Sequence, residues 1–383
     1  MARLARRLAT SAALAGAALA VAVPAASAKA AERPAPSKAP AAATVRRSLN
    51  RLVDAGAPGA VALVRVHGRT TRIAAGYADT RTKRRMRASD RFRVGSVTKT
   101  FVATVILQLA GEGRLSLDDS VEHWLPGEVP NGGAITVHQL LSMTSGIFDY
   151  LNDGDDTVLR REIADPNTRF TPNELVAIAT SHAPRFAPGT SWSYSNTGYI
   201  LLGQIAENAA GRPIADLLRD RIFTPAGLRA TSFETGPRIA GTHAHGYDAL
   251  TGKTLRDVSV LDQSWAWTAG AIVSNADDIA RFYRALLKGR LLRPDLLTAM
   301  ETTVPMGAPA PRGFTYGAGI STVPMPCGLA WGHNGSTPGY LTSVLNSRGG
   351  RRQVVLMING GETALDRQTA EPAQRLLAAA FCR

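Results

Sequence analysis

A serine and a lysine three residues apart are the first side chains in this sequence that could do chemistry together. If a helix begins at Ser96, Lys99 lies on the same helical face, so the hydroxyl and the amine can meet. The amino end of that helix would also present unpaired amides to a developing negative charge. This arrangement suits an acylating serine, whereas a helix cap with a solvated lysine is the structural alternative.

Two later motifs carry further polar groups. Tyr194–Asn196 follows the turn at 187–189 and precedes an apolar helix, and His333–Ser336 precedes a strand that begins near Leu341. Alone, the tyrosine could be a core aromatic and the histidine a loop residue. Gly335, on an edge strand, would let another backbone approach closely, which an extended substrate needs. All three motifs in this order predict an active site.

Strands are predicted at both ends of the chain and helices between them. The pattern predicts strands over 60–66, 71–75, 341–346 and 353–359, and helices over 98–111, 136–144, 172–181, 198–209, 213–221, 276–288 and 366–380. We therefore predict an α+β fold, in which both termini close a mainly antiparallel sheet and a helical insertion completes the site.

The first 28 residues are typical of an export signal. Arg3, Arg6 and Arg7 precede an apolar run over 12–23 and a small-x-small cleavage site at Ala26–Ala28. The run is shorter than the roughly 20 residues of a membrane span, so cleavage is favoured over an uncleaved anchor. Residues 29–43, mainly Ala, Pro and Lys, predict a tether. We expect an exported protein, secreted or associated with the cell wall, whose catalytic domain spans 44–383.

The composition is that of an ordinary globular protein. The 383 residues are 45% hydrophobic and 19% charged, which excludes a wholly disordered chain, collagen and a coiled coil. The formal net charge is +14, and +11 without the three signal arginines. This balance, with a basic cluster at 81–87, could attract anionic wall polymers, although a solvated loop is the simpler interpretation. No helix-turn-helix pattern or interleaved aromatics favour nucleic acid.

Taken together, the motifs resemble the penicillin-recognising serine hydrolases. This family includes class C β-lactamases, D-alanyl-D-alanine carboxypeptidases and related esterases, and the similarity is greatest to the secreted actinomycete carboxypeptidases. The matching stretches are Phe92–Lys99, Ile135–Ser142, Thr144–Gly146, Tyr194–Tyr199, Trp265 with Ala269–Ala271, and Gly332–Gly335. The resemblance implies a β-lactamase/transpeptidase-like fold with a helical subdomain over about 95–265. It implies no metal or organic cofactor, and we expect a monomer.

The resemblance also implies a role for each motif. Ser96 would attack a carbonyl and become acylated, while Lys99 and Tyr194 exchange its proton. Bringing a tyrosine pKa from about 10 to about 7 requires roughly 4 kcal/mol. One cation about 4 Å away supplies roughly that at an effective dielectric of about 20. Our hypothesis is that Tyr194 is the base and Lys99 is charged, with neutral Lys99 as the alternative base.

The remaining site residues would bind substrate. By resemblance, Asn196 would hold the substrate amide, Trp265 would line the cleft, and the amides of Ser96 and Ser336 would form the oxyanion hole. His333, which we place with the catalytic residues, replaces a lysine common in β-lactamases, and the substrate-binding Asn334 replaces a usual threonine.

One departure affects the substrate. The similar carboxypeptidases have an arginine near the position of Ser321, implicated in holding the terminal carboxylate of the peptide, and its loss weakens that recognition. Arg312 or Arg348 could replace it. We predict a D-alanyl-D-alanine carboxypeptidase that acts on peptidoglycan stem peptides and is acylated by β-lactams. An esterase or β-lactamase, or a silent peptidoglycan-binding module, is the alternative, and the intact catalytic set argues against the last.

Two cysteines and two histidines are the last candidate functional residues in the sequence. Cys327 and Cys382 match, by resemblance, a disulfide of the relatives, and the exported part of a chain permits it. His243 and His245 are spaced like a metal pair, but no further ligand is suggested nearby, so a surface loop is favoured.

Overall fold

Strands from the two ends of the chain pair side by side, as predicted. A computed structural model describes residues 42–152, 157–250, 254–308, 310–361 and 367–382. The predicted signal and nearly all of the predicted tether lie outside these residues. Within them the main sheet is antiparallel and has ten strands: β1 Gly59–Val66, β2 Arg69–Asp79, β3 Arg84–Arg85, β9 Val304–Pro305, β10 Thr315–Tyr316, β11 Ser321–Met325, β12 Gly328–Gly332, β13 Asn334–Thr337, β14 Tyr340–Asn346 and β15 Arg352–Ile358.

The order of this sheet is β3-β2-β1-β15-β14-β12-β11-β10-β9, with β13 paired to β14. Five shorter strands form two small sheets among the described residues: β4 Phe92–Arg93, β5 Ser232–Phe233 and β8 Ile272–Ser274 in one, β6 Tyr247–Asp248 and β7 Arg256–Asp257 in the other.

Helices cover both faces of the main sheet. The helices within the described residues are α1 Ala42–Asp54, α2 Thr98–Gly111, α3 Val121–Trp124, α4 Val137–Leu141, α5 Thr157–Ala164, α6 Pro172–Thr180, α7 Asn196–Ala210, α8 Ile214–Leu218, α9 Trp267–Gly270, α10 Ala276–Leu287, α11 Pro294–Glu301 and α12 Arg367–Cys382. None of the helices in the described part is long and apolar enough to cross a bilayer.

Two apolar cores follow from the alternation of side chains along the strands. In β1, Val61 and Leu63 face the core shared with α2 and α7, whereas Ala62 and Val64 face the core closed by α1 and α12. Because both faces are covered, β1 is buried along nearly its whole length. A continuous apolar strand is the sequence signature of this arrangement.

Two predicted helices end earlier than their apolar pattern suggested. The helix predicted over 136–144 is Val137–Leu141, because Met143 adopts a left-handed φ of 63° and the Thr144 amide closes the turn onto the Gln139 carbonyl. The one predicted over 213–221 is Ile214–Leu218, followed by a π-helical turn. The predicted helix over 98–111 is confirmed at its bounds.

The predicted disulfide is present. Cys327 lies between β11 and β12, and Cys382 ends α12, so the bond ties the last helix to the sheet. The two residues are 55 apart in sequence, and Cα atoms 5.3 Å apart suit such a bond.

We expect the double variant Cys327→Ser/Cys382→Ser to lower the free energy of unfolding by about 4 kcal/mol, because the unfolded chain loses its closed loop. Urea denaturation of the oxidised wild type and the double variant measures the difference. Wild-type protein treated with a reductant should match the double variant. Equal midpoints for oxidised wild type and double variant would contradict this.

Candidate active site

The predicted nucleophile lies on a tight turn between two buried elements. Ser96 is in the 3₁₀ turn Gly95–Val97, which joins β4 to α2, and it is partly exposed while both neighbours are buried. Lys99, one turn into the helix, is fully buried, and its Nζ lies 3.1 Å from Ser96 Oγ. The helical spacing therefore brings the hydroxyl and the amine together as predicted.

Two further contacts of Lys99 are made to oxygen atoms. Nζ donates to Asn196 Oδ1 at 2.7 Å and to the Ala269 carbonyl at 2.8 Å. Both oxygens can only accept, so in the neutral form of the amine they take its two hydrogens and leave its lone pair for the Ser96 hydroxyl, whereas the protonated form would donate to all three oxygens. Burial lowers the pKa of Lys99 to about 7, against an opposing effect of Asp149. Lys99 can therefore accept the serine proton near neutral pH.

The phenol of Tyr194, in contrast, tends to keep its proton. Its ring centroid lies 4.9 Å from Lys99 Nζ. Burial raises the pKa of Tyr194 above its ordinary value, and the interaction with the Ser96 hydroxyl offsets only part of that rise. Our hypothesis required charged Lys99 to lower the pKa of this phenol. The directions of both pKa shifts favour the alternative assignment, in which Lys99 is the base and Tyr194 stays protonated and can donate.

The register of β13 directs an amide toward the nucleophile. The Val344 amide donates to the His333 carbonyl, so residues 333 and 344 form a hydrogen-bonded pair. Hydrogen-bonded and non-hydrogen-bonded pairs alternate along an antiparallel ladder, so Ser336 and Leu341, three positions further on, are a non-hydrogen-bonded pair. The Ser336 amide therefore points away from β14. A Cβ built on Gly95 would lie 2.8 Å from that amide nitrogen, so it faces the turn that carries the nucleophile.

Gly335 makes this approach possible. A Cβ at this position would lie 1.9 Å from the Val94 carbonyl oxygen and 2.9 Å from the Ser96 amide nitrogen. The backbone that approaches Gly335 is the chain's own turn at 94–96, and the expected approach of a substrate backbone to this strand stays a prediction. The amides of Ser96 and Ser336 consequently lie near each other, as an oxyanion hole requires.

Asn196 is held at both ends by buried groups. Its Nδ2 donates to both carboxylate oxygens of Asp149, at 3.1 and 3.3 Å, while its Oδ1 accepts from Lys99. Its predicted contact with a substrate amide stays a prediction. Asp149 was missed by sequence reasoning, because a single acid in a loop has no pattern that distinguishes it.

His333 is buried and neutral. Its Nδ1 donates to the carbonyl of Asn334, and its Nε2 accepts from the Tyr316 hydroxyl at 3.0 Å. Burial lowers the pKa of His333 to about 3, so it cannot supply the positive charge of the lysine it replaces. Its contacts position Tyr316 and β13. The neighbouring Asn334 is partly exposed at the start of that strand.

The remaining predicted residues lie around this centre. Trp265 is 9% exposed, and its carbonyl accepts from Tyr150 at 2.6 Å. Ser321, which stands near the position of the arginine in the resemblance drawn above, is neutral and donates to the Gly332 carbonyl within the sheet at 3.0 Å. Arg348 is paired with Glu301 beyond the far end of β14, whereas Arg312 is exposed before β10.

The histidine pair has other partners. His243 Nδ1 lies 2.8 Å from the Gly241 carbonyl, and His245 Nδ1 lies 2.6 Å from Asp257. In the described part of the chain no group of three or more His, Cys, Asp or Glu side chains could hold a metal ion.

Comparison with known proteins identifies the family. The family model described as Beta-lactamase matches residues 2–379, nearly the whole chain. The chain belongs to the β-lactamase family. This confirms the predicted family and fold of penicillin-recognising serine hydrolases, and the site is that of a serine hydrolase.

Proteins named for several different activities are similar to this chain. A D-stereospecific amidohydrolase from Streptomyces sp. has a similar structure, with a TM-score of 0.80 and 38% identity over 88% of this chain and 98% of that one. Penicillin-binding protein 4* of Bacillus subtilis is 27% identical over 79% of this chain and 68% of its own length. A D-aminopeptidase of Cereibacter sphaeroides is 29% identical over 87% of this chain and 63% of its own length.

The acylation rate should rise with pH through about 7. The neutral form of Lys99 is the base, and it is present above the lowered pKa and lost below it. Rates of acylation by benzylpenicillin, followed by intact mass from about pH 5 to about pH 9, give the acid limb of the pH–rate profile, where the rate rises with pH. A limb near the ordinary pKa of lysine would contradict the assignment, and Lys99→Met should remove both the limb and most of the rate.

Gly335→Ala should slow acylation by about 100-fold, because a Cβ there pushes the Ser336 amide away from the turn. Gly236→Ala is the matched control, since a Cβ at Gly236 meets no atom within 4 Å. Acylation rates and thermal unfolding of both variants measure the effect. A folded Gly335→Ala protein that is acylated at the wild-type rate would exclude this oxyanion hole.

Proposed function

We propose that the protein cleaves the amide bond on the carboxyl side of a D-residue through an ester with Ser96. The observation that carries this proposal is the contact of Ser96 with a buried amine whose other hydrogens are already used. The names of two similar proteins, a D-stereospecific amidohydrolase and a D-aminopeptidase, support D-stereospecificity. A D-alanyl-D-alanine carboxypeptidase, our sequence-based prediction, is one enzyme of this kind.

The proposed reaction uses the groups in order. Lys99 accepts the proton of Ser96 as Oγ attacks the carbonyl, and the amides of Ser96 and Ser336 stabilise the oxyanion. The proton passes to the leaving nitrogen when the C–N bond breaks. Water then attacks the ester while the same base accepts its proton. The base returns this proton to Oγ as the C–O bond to Ser96 breaks, which releases the D-acid and restores the Ser96 hydroxyl.

The leaving group distinguishes two substrate classes. A carboxypeptidase must bind the free carboxylate of the departing residue, and the neutral Ser321 offers no charge for it. Arg348 is held by Glu301 at 2.9 Å. We therefore favour amides or peptides of D-residues whose recognition does not depend on a terminal carboxylate. Stem peptides ending in D-alanyl-D-alanine are the second candidate substrate, and the exposed Arg312 would have to bind their terminal carboxylate.

The cellular setting is also proposed. The amino-terminal pattern supports export, and a wall-associated location would bring the enzyme to peptidoglycan peptides and weakly to anionic wall polymers. The partly exposed Ser96 beside its base argues against a silent binding module. An esterase or β-lactamase would share the acylation chemistry and differ in how fast water reaches the ester.

Two measurements on the mature chain test the proposal. With benzylpenicillin, we expect an adduct on the wild type that is absent from Ser96→Ala. With N-acetyl-D-alanyl-D-alanine, N-acetyl-D-alanine amide and its L-isomer, we expect cleavage of both D-compounds and not of the L-amide.

The relative rates then identify the class. Rates for the two D-substrates within about tenfold of each other would support carboxylate-independent recognition. A strong preference for D-alanyl-D-alanine that is lost in Arg312→Gln would support the carboxypeptidase instead. Turnover of benzylpenicillin without a lasting adduct would indicate a β-lactamase, and cleavage of esters alone would indicate an esterase.

A further inference from the structure

A buried carboxylate that the mechanism above does not use lies behind the catalytic lysine. Asp149 is 2% exposed and precedes the 3₁₀ turn Tyr150–Asn152. Its oxygens accept from Asn196 Nδ2, from the Leu151 amide at 3.3 Å and from Asn152 Nδ2 at 3.2 Å. All of these groups are donors, so the ionised carboxylate fits this environment. Burial raises the pKa of Asp149, and the donors and Lys99 oppose the rise.

An ionised carboxylate determines which way the Asn196 amide faces. Because Asp149 can only accept, the NH₂ end of Asn196 must point toward it, and the oxygen end must point toward Lys99. That oxygen can then accept a hydrogen from Nζ. A neutral amide in place of Asp149 could pair with either end of Asn196, and the opposite orientation would present two N–H groups to Nζ.

We propose that Asp149 is a positioning residue for acylation, which fixes the Asn196 amide so that the lone pair of Lys99 is directed at the Ser96 hydroxyl. The chain of contacts runs from Asp149 through Asn196 Nδ2 and Oδ1 to Nζ, and from Nζ to Oγ, with no step longer than 3.3 Å. This inference rests on the proposed function of the Ser96 site.

Four titratable groups surround the amine, and Asp149 is the one whose hydrogen-bond partners, all of them donors, suit a charged form. Asp149 acts from the loop after α4, Tyr194 and Tyr199 from the segment that begins α7, and His333 from the start of β13. Burial raises the pKa of both tyrosines and lowers that of the histidine to about 3, so these three are neutral. The negative charge of Asp149 raises the pKa of Lys99 against burial.

Replacement of Asp149 should therefore have two separable effects. In Asp149→Asn the plateau rate of acylation by benzylpenicillin should fall about tenfold or more, because the amide of Asn196 is no longer fixed. The acid limb should move to lower pH, because Lys99 loses the negative charge that favours its protonated form. A merely structural role would lower the rate without moving the limb in that direction.

The matched control is Asp278→Asn. Asp278 is also a buried acid, and it accepts from the Ala230 amide and the Thr231 hydroxyl at the start of α10, outside the site. The acylation rate and the acid limb of the Asp278→Asn variant should match those of the wild type. A folded Asp149→Asn protein with a wild-type rate and limb would overturn the inference, whereas a wild type that forms no adduct would instead refute the proposed function.

A second comparison tests whether Asp149 acts through Asn196. If it does, Asp149→Asn should have little further effect on the rate in an Asn196→Ala background, and independent, multiplying effects would contradict this. Should Asp149→Asn not fold, Asn152→Ala removes one donor to the carboxylate and keeps the acid. Its plateau rate should fall by about twofold or more, and an unchanged rate would count against the inference.

Discussion

The complete burial of one amine is the constraint on which this active site depends. An ammonium group withdrawn from water is costly, and the cost is relieved either by a close partner or by loss of the proton. Lys99 has one carboxylate nearby, separated from it by the Asn196 amide, and burial is the larger effect on its pKa. The amine is therefore a base near neutral pH, in contact with a serine that substrate can reach.

The same burial separates the roles of the neighbouring groups. Tyr194 is partly exposed, but desolvation raises its pKa, so it suits donation rather than proton abstraction. His333 is neutral for the same physical reason, and its two nitrogens are used to hold Tyr316 and the start of β13. A site rich in titratable residues thus has few charged ones, which strengthens the remaining electrostatic interactions in the cleft.

Much of this arrangement could be predicted from the sequence. The meeting of Ser96 and Lys99 follows from helical spacing, and β14 and β15 follow from two apolar runs around a turn. The contact between Asp149 and Asn196 could not be predicted, because the two residues are 47 apart in the sequence and no helix or strand pattern includes both of them. The choice of base could not be predicted either, because it depends on how far burial shifts two pKa values. Strands of two residues, such as β4, carry no periodic signal of their own.

The proposed mechanism depends on Lys99 being an uncharged amine whose lone pair meets the Ser96 hydroxyl. Neutron diffraction from deuterium-exchanged crystals grown above the lowered pKa of Lys99 would locate the relevant hydrogens directly. We expect two deuterons on Nζ, directed at Asn196 Oδ1 and the Ala269 carbonyl, and one on the oxygen of Tyr194. Three deuterons on Nζ together with a deprotonated Tyr194 would contradict it.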